Sequence, residues 1–119
     1  MSDTDLSVVV PVYNNADSID VLLDRLVRTL DGLGLTFEIV PIDDGSRDAS
    51  LDILKRRAAA DPRIRPRALV RNFGSQAALC AGFELARGRQ VVCIDADLEN
   101  LSLIHISEPT RLRRISYAV

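Results

Sequence analysis

Two carboxylates one residue apart, Asp95 and Asp97, directly follow the apolar run Val91-Val92-Cys93-Ile94. Such a pair at the end of a buried strand suits a hard cation. Carboxylate oxygens hold Mg²⁺ or Mn²⁺, and a cation held by one or two protein carboxylates keeps coordination sites for phosphate oxygens. The same residues also serve in turns and helix N-caps, where aspartate is common. A second acidic pair, Asp43-Asp44, precedes Gly45-Ser46 and follows the apolar run from Phe37 to Ile42. Asp44 is suited to accept hydrogen bonds from a base or ribose, and equally to open a helix. Tyr13, in Pro11-Val12-Tyr13-Asn14-Asn15, offers either a flat face for a base or a packing surface.

These residues need elements to bring them together. Val8 to Val10 is a β-branched run, Phe37 to Ile42 a second, Arg67 to Val70 a third and weaker one ending in Arg71-Asn72-Phe73-Gly74, and Val91 to Ile94 a fourth. Between them lie helical patterns. Ile19, Leu22, Leu23, Leu26, Val27 and Leu30 follow the i, i+3, i+4, i+7 spacing, with Asp17 or Ser18 as N-cap and Gly32 or Gly34 as the stop. Shorter helices are predicted from Ser50 to Ala60, closed by Pro62, and from Ser75 to Ala86, closed by Gly88. The order β-α-β-α-β-α-β implies an α/β fold, a Rossmann-like parallel sheet with helices on both faces. Ligands of open α/β sheets bind outside the carboxyl ends of the strands. All four predicted strands end in polar or glycine-containing clusters, which are expected to converge on one crevice.

Composition fits one compact domain: 119 residues, 47% hydrophobic and 27% charged, with a net charge of -2. That balance argues against a nucleic-acid-binding face. The first residues, Met1-Ser2-Asp3-Thr4-Asp5, have no basic or long apolar stretch, and no run is long enough to span a bilayer, so a cytoplasmic location is expected. Cys80 and Cys93 both read as buried reduced thiols. Pro11 to Ser18 contains no glycine, which excludes the G-x-G-x-x-G dinucleotide loop, and no Walker A loop is present. The crevice must therefore hold its ligand through side chains and a metal.

In order, Val8-Val9-Val10-Pro11-Val12-Tyr13-Asn14, Ile42-Asp43-Asp44-Gly45-Ser46, Arg71-Asn72-Phe73-Gly74, Ala81-Gly82 and Ile94-Asp95-Ala96-Asp97-Leu98 resemble the nucleotide-binding half of a family 2 glycosyltransferase with the GT-A fold. Within that family the chain is most similar to the polyprenyl-phosphate (dolichyl- and undecaprenyl-phosphate) sugar transferases. The resemblance covers Leu6 to about Asn100. It implies inverting transfer of a sugar from a nucleotide diphosphate sugar to a lipid phosphate acceptor, with Mg²⁺ or Mn²⁺ as cofactor. The full-length parent would then work at the cytoplasmic face of the membrane.

The resemblance also implies residue roles. Pro11 and Tyr13 would lie against the nucleobase, Asp44 would hydrogen-bond it, and Asp43 would support that loop. Arg71 would lie near the nucleotide-sugar. Asp95 would face the ribose or the metal, and Asp97 would ligate the metal that bridges the diphosphate. Glu99 stands where many relatives have glutamine, adding a charge beside the metal. Pro41 is a second departure, because a central strand loses a ladder hydrogen bond at proline.

After Asn100 the likeness stops, and Leu101 to Val119 looks like a translated sequencing-adapter peptide. Residues 1–100 are therefore expected to be a truncated nucleotide-sugar-binding domain, and residues 101–119 a non-native tail. Neither His105 nor Arg111, Arg113 and Arg114 is given a role, and no catalytic base is identified. Two other readings stand beside this one. A Mg²⁺-dependent phosphoryl-transfer or receiver-type domain would need a lysine at a later strand end, whereas Lys55, the only lysine, falls in a helix. The other is a non-catalytic nucleotide-binding fragment or binding module, or an unstable fragment with no function of its own; cooperative unfolding that does not respond to nucleotide and metal would favour the last two.

Overall fold

The structure, a computed structural model, describes residues 4–94 and 96. In chain order its elements are β1 (Leu6–Val12), α1 (Ile19–Leu33), β2 (Phe37–Asp43), α2 (Ser50–Ala60), β3 (Arg67–Ala68), α3 (Ser75–Leu85) and β4 (Gln90–Cys93). The strands form one parallel sheet in the order β3-β2-β1-β4. β1 and β2 pair along their whole length, from Leu6 opposite Phe37 to Val12 opposite Asp43. Their acidic and aromatic continuations therefore emerge side by side.

A parallel strand buried on both faces cannot alternate apolar with polar residues. β1 accordingly sends Leu6, Val8, Val10 and Val12 to one face, where Leu22, Leu23 and Leu30 of α1 and Ile53 and Leu54 of α2 cover them. Val9 points to the other face, against Leu79 and Phe83 of α3, with Val91 and Cys93 of β4 beside it. Each fully buried aliphatic side chain contributes about 1.5–3 kcal/mol by leaving water. Gly82 lets α3 approach β1 closely, since a Cβ there would lie 2.3 Å from Val9 Cγ1.

Helix α1 keeps its apolar stripe inward, as its spacing requires. It stops where Gly34 takes the left-handed conformation at φ 71°. Its first turn is less conventional. Ser18 is the N-cap residue, yet its side chain makes no capping hydrogen bond and donates to carbonyl oxygens instead.

Three expectations change in the folded chain. The third strand shrinks from Arg67–Val70 to the exposed pair Arg67–Ala68, and Val70 is 93% exposed. Edge position explains this, since β3 pairs only with β2. Cys80 is exposed while Cys93 is buried, because Cys80 falls on the solvent side of α3, away from the Ala78, Leu79, Gly82 and Phe83 face. Pro41 leaves β2 regular and fully buried. Ile39 exchanges hydrogen bonds with Arg63 and Arg65, and Asp43 accepts one from Leu69, all on the β3 side. Pro41 is in phase with both, so its missing N–H faces the stretch between Arg65 and Arg67, where the ladder is already broken.

A buried polar cluster locks the opposite, amino-terminal end of the sheet. Glu38 accepts hydrogen bonds from the Ser7 hydroxyl (2.5 Å), the Arg87 N–H (2.6 Å) and the Arg65 guanidinium, and the Gly88 N–H donates to Ser7 Oγ at 2.7 Å. Burial alone would raise the Glu38 pKa. The three donors outweigh it and hold the carboxylate below its ordinary range.

Candidate functional site

The carboxyl ends of β1 and β2 open into loops that are laced together. The Asn14 N–H donates to Ser46 Oγ, and the Arg47 N–H returns a hydrogen bond to Asn14 Oδ1, both at 2.8 Å. Asn14 adopts a positive φ of 53°, a conformation that asparagine tolerates better than most residues. Farther along, the Asn15 N–H donates to Ser50 Oγ (2.8 Å) and the Ala16 N–H to Asp48 Oδ2 (3.1 Å). Burial of Asp48 works against its charge, but donors from Ser50 and Ala16 prevail and lower its pKa. Six polar residues, Asn14, Asn15, Ser46, Arg47, Asp48 and Ser50, thus act as a splice between two loops.

Within this frame the two aspartates at the carboxyl end of β2, Asp43 and Asp44, differ. Asp44 has both carboxylate oxygens occupied: the Phe73 N–H donates to Oδ1 at 2.8 Å, and the Gly74 N–H and Asn72 Nδ2 donate to Oδ2 at 3.0 and 3.2 Å. It clamps the loop between β3 and α3. Asp43 receives the Ser46 N–H on Oδ2 at 3.1 Å, while its buried Oδ1 has no hydrogen-bond partner among the described residues. Buried polar atoms are nearly always paired, so an orphan oxygen marks a place where something else donates.

Asp43 is also one wall of a cleft of about 410 Å³ whose other walls include Tyr13, Arg47, Val70 and Arg71. An adjoining cleft of about 200 Å³ is lined by Pro11, Val12, Tyr13, Asn15, Asp44 and Ser75. Tyr13, 44% exposed, is the wall common to both. The Arg71 guanidinium lies 4.8 Å from the Phe73 ring centroid, a cation–π contact at the cleft edge. Of the sequence-predicted site residues, Pro11, Tyr13, Asp43, Asp44 and Arg71 therefore gather at one end of the sheet. Asp95 and Asp97 lie outside the described residues. Ala96 between them is described, and its carbonyl accepts a hydrogen bond from Ser18 Oγ at 3.2 Å. Among the described residues no group of three or more His, Cys, Asp or Glu is placed to hold a metal ion.

Sequence reasoning missed Arg47, Asn72 and the Asp48–Ser50 pair. Asp48-x-Ser50 ahead of an apolar helix is a legible N-terminal signal, and the Ser50 N–H does bond Asp48 Oδ1 at 2.9 Å. Nothing local could have shown that Asn72 reaches across to Asp44.

Known proteins share this sequence and fold. The chain is 42% identical over 104 residues to an undecaprenyl-phosphate 4-deoxy-4-formamido-L-arabinose transferase of Aeromonas hydrophila, a match covering 84% of this chain and 32% of that protein. It is 48% identical over 96 residues to the protein of the same name from Pseudomonas syringae, covering 80% and 28%. The chain thus spans less than a third of the length of these curated relatives. Among solved structures, the mannosyltransferase PcManGT of Pyrobaculum calidifontis, in complex with GDP-Man and Mn²⁺, superposes with a TM-score of 0.68 at 27% identity, over 82% of this chain and 28% of that one. S. aureus TarS 1-349 in complex with UDP-GlcNAc gives a TM-score of 0.63 at 27% identity, over 78% and 26%. Residues 7–102 match the family described as Glycosyl transferase family 2, and the chain, with the nucleotide-binding half of a GT-A fold, belongs to that family.

Proposed function

We propose that residues 1–100 are the donor-nucleotide half of an enzyme that transfers a sugar from a nucleotide diphosphate to a polyprenyl phosphate, inverting the anomeric carbon. The observation that carries this reading is the unpartnered Oδ1 of Asp43, a residue that lines one cleft with Tyr13. A carboxylate acceptor next to an aromatic face fits a base that stacks and donates one ring N–H. Asp43 has a single oxygen free, so it matches uracil better than guanine, which presents two neighbouring donors on that edge. Cytosine lacks the ring N–H and would leave the oxygen unpaired at a cost of about 1–3 kcal/mol. Pro11 and Tyr13 hold the base; Asp44, expected from the resemblance to contact the base, has both carboxylate oxygens taken by Asn72, Phe73 and Gly74 and instead holds the loop that carries Arg71, which lies toward the nucleotide-sugar.

In the transfer step an oxygen of the acceptor phosphate forms a bond to the anomeric carbon as the bond to the diphosphate breaks, and the nucleoside diphosphate leaves with the electron pair. Asp95 and Asp97 are the residues that would hold Mg²⁺ or Mn²⁺. Such a cation, when bound, neutralises charge on the departing diphosphate. The described carboxylates Asp43 and Asp44 are committed to base and loop, which supports assigning the metal to the later pair. The parent enzyme is placed at the cytoplasmic face of the membrane, where a polyprenyl acceptor is reached. Among the described residues no helix is long and apolar enough to cross a membrane.

The family match ends at residue 102, close to the expected boundary at Asn100, which supports treating the segment beyond the match as a tail outside the domain. We expect the 119-residue polypeptide by itself to bind donor without transferring sugar, since positioning the acceptor supplies roughly 7–11 kcal/mol of the barrier. Calorimetry with UDP, GDP and CDP, each with Mn²⁺ and with EDTA, tests the reading. UDP is expected to bind best, more tightly with Mn²⁺, and Asp43→Asn to abolish its advantage over CDP. Equal binding of UDP and CDP by the unaltered protein would exclude the assignment of Asp43.

A further inference from the structure

Opposite charges share the larger cleft without neutralising one another. Asp43 Oδ1 is buried and unpartnered, while Arg47 and Arg71 line the same walls and form no ion pair among the described residues. Elsewhere in the molecule arginines near carboxylates do pair, as Arg56, Arg57, Arg63 and Arg65 show. Arg71 is engaged with the Phe73 ring. The Arg47 side chain has no such partner among the described residues, although its backbone is fixed by the 2.8 Å hydrogen bond to Asn14 Oδ1. The turn from Asp43 to Arg47 is further pinned by Ser46, which donates its N–H to Asp43 and receives that of Asn14. One pinned turn thus lines the cleft with a residue whose buried carboxylate oxygen lacks a partner and with an arginine whose guanidinium forms no ion pair among the described residues.

We infer that Arg47 is a specificity-determining residue of this cleft, donating to a carbonyl oxygen of the ligand beside the N–H that Asp43 accepts. The inference rests on the nucleotide reading above and extends it to a residue outside the matched motifs. An imide edge, with C=O next to N–H, satisfies both groups at once. An amino-pyrimidine edge opposes both, since it sets an N–H₂ against the guanidinium and a bare ring nitrogen against the carboxylate. The guanidinium suits this role because its fixed fork of donors costs little ordering per bond formed.

Uridine, UMP and UDP separate base contacts from phosphate contacts, and EDTA removes any metal. Ligand-detected NMR titrations of the 119-residue chain would be run with all three, and with CMP, for the unaltered protein, Arg47→Ala and Arg47→Lys. Loss of one charge-assisted hydrogen bond predicts roughly tenfold weaker binding. Arg47→Ala is expected to weaken uridine, UMP and UDP by that same factor, to narrow the preference for UMP over CMP, and to leave the thermal unfolding midpoint unchanged. Arg47→Lys should recover only part of the loss. Unchanged binding, or a loss confined to UMP and UDP, would overturn the inference by showing a bystander or a phosphate contact. If the unaltered protein binds none of these ligands, the nucleotide reading itself fails and Arg47 with it. If it binds uridine nucleotides and Asp43→Asn abolishes that while Arg47→Ala does nothing, only the Arg47 inference is lost.

Discussion

The side-chain amide of Asn72 donates to both the carbonyl oxygen and the carboxylate of Asp44, at 3.1 and 3.2 Å, tying the loop after β3 to the end of β2. With the Phe73 and Gly74 N–H groups on the same carboxylate, Asp44 is the post to which one wall of the cleft is fastened. Asp44→Ala leaves two backbone donors without their acceptor. The expected cost is about 3 kcal/mol of stability, measured by urea denaturation. Asn72→Ala should cost less, about 1 kcal/mol, because the backbone donors keep their partner.

Gly45 makes the same junction possible in another way. Its φ is 73°, and a Cβ would lie 2.4 Å from the Asn72 backbone nitrogen. Gly45→Ala therefore combines backbone strain with a collision against backbone that cannot swing away. We expect a loss of at least about 2 kcal/mol, together with weaker nucleotide binding as Arg71 and Asn72 are pushed outward. Unaltered UDP affinity in a folded Gly45→Ala variant would show that the loop does not shape the site.

At the other end of the sheet, Glu38 makes a pH prediction. Its folded-state pKa is depressed, so its contribution is fully present above the unfolded glutamate value of about 4.3 and is lost as pH falls through the lower folded value. Glu38→Gln should be less stable than the parent at pH 7 by about 2 kcal/mol, since Arg65 loses its partner. Below about pH 4 the gap should narrow. A gap that widens on acidification would contradict the assigned direction. Nucleotide affinity of the folded variant should be unchanged, because this cluster lies at the amino-terminal end of the sheet.

For the metal, Asp97→Ala is expected to remove the enhancement of UDP binding by Mn²⁺ while leaving binding in EDTA as it was. Calorimetry of both conditions checks this. A variant that still responds to Mn²⁺ would place the cation on other ligands.

Local pattern alone determined much of this protein. The apolar runs and the 3.6-residue spacing of α1 specify which segments are strands and helices. Their alternation specifies a parallel sheet, because burial on both faces demands continuous apolar strands such as Leu6–Val12. Short-range motifs also marked the strand-end residues Tyr13, Asp43 and Asp44. Tertiary structure decided what those residues do for one another. Neighbouring aspartates of one chemistry became a clamp and an open acceptor because Asn72, Phe73 and Gly74 arrive 28 to 30 residues later in the chain to occupy only Asp44. Pro41 looked disruptive until its missing N–H proved to face the gap beside β3. Apolar neighbours in sequence point Cys80 to the core, but a helix packs only one stripe, and the rotation that chose Ala78, Leu79, Gly82 and Phe83 leaves Cys80 in water. Hydrogen bonds and helix rotation depend on distances between segments far apart in sequence, and those distances exist only once the sheet has formed.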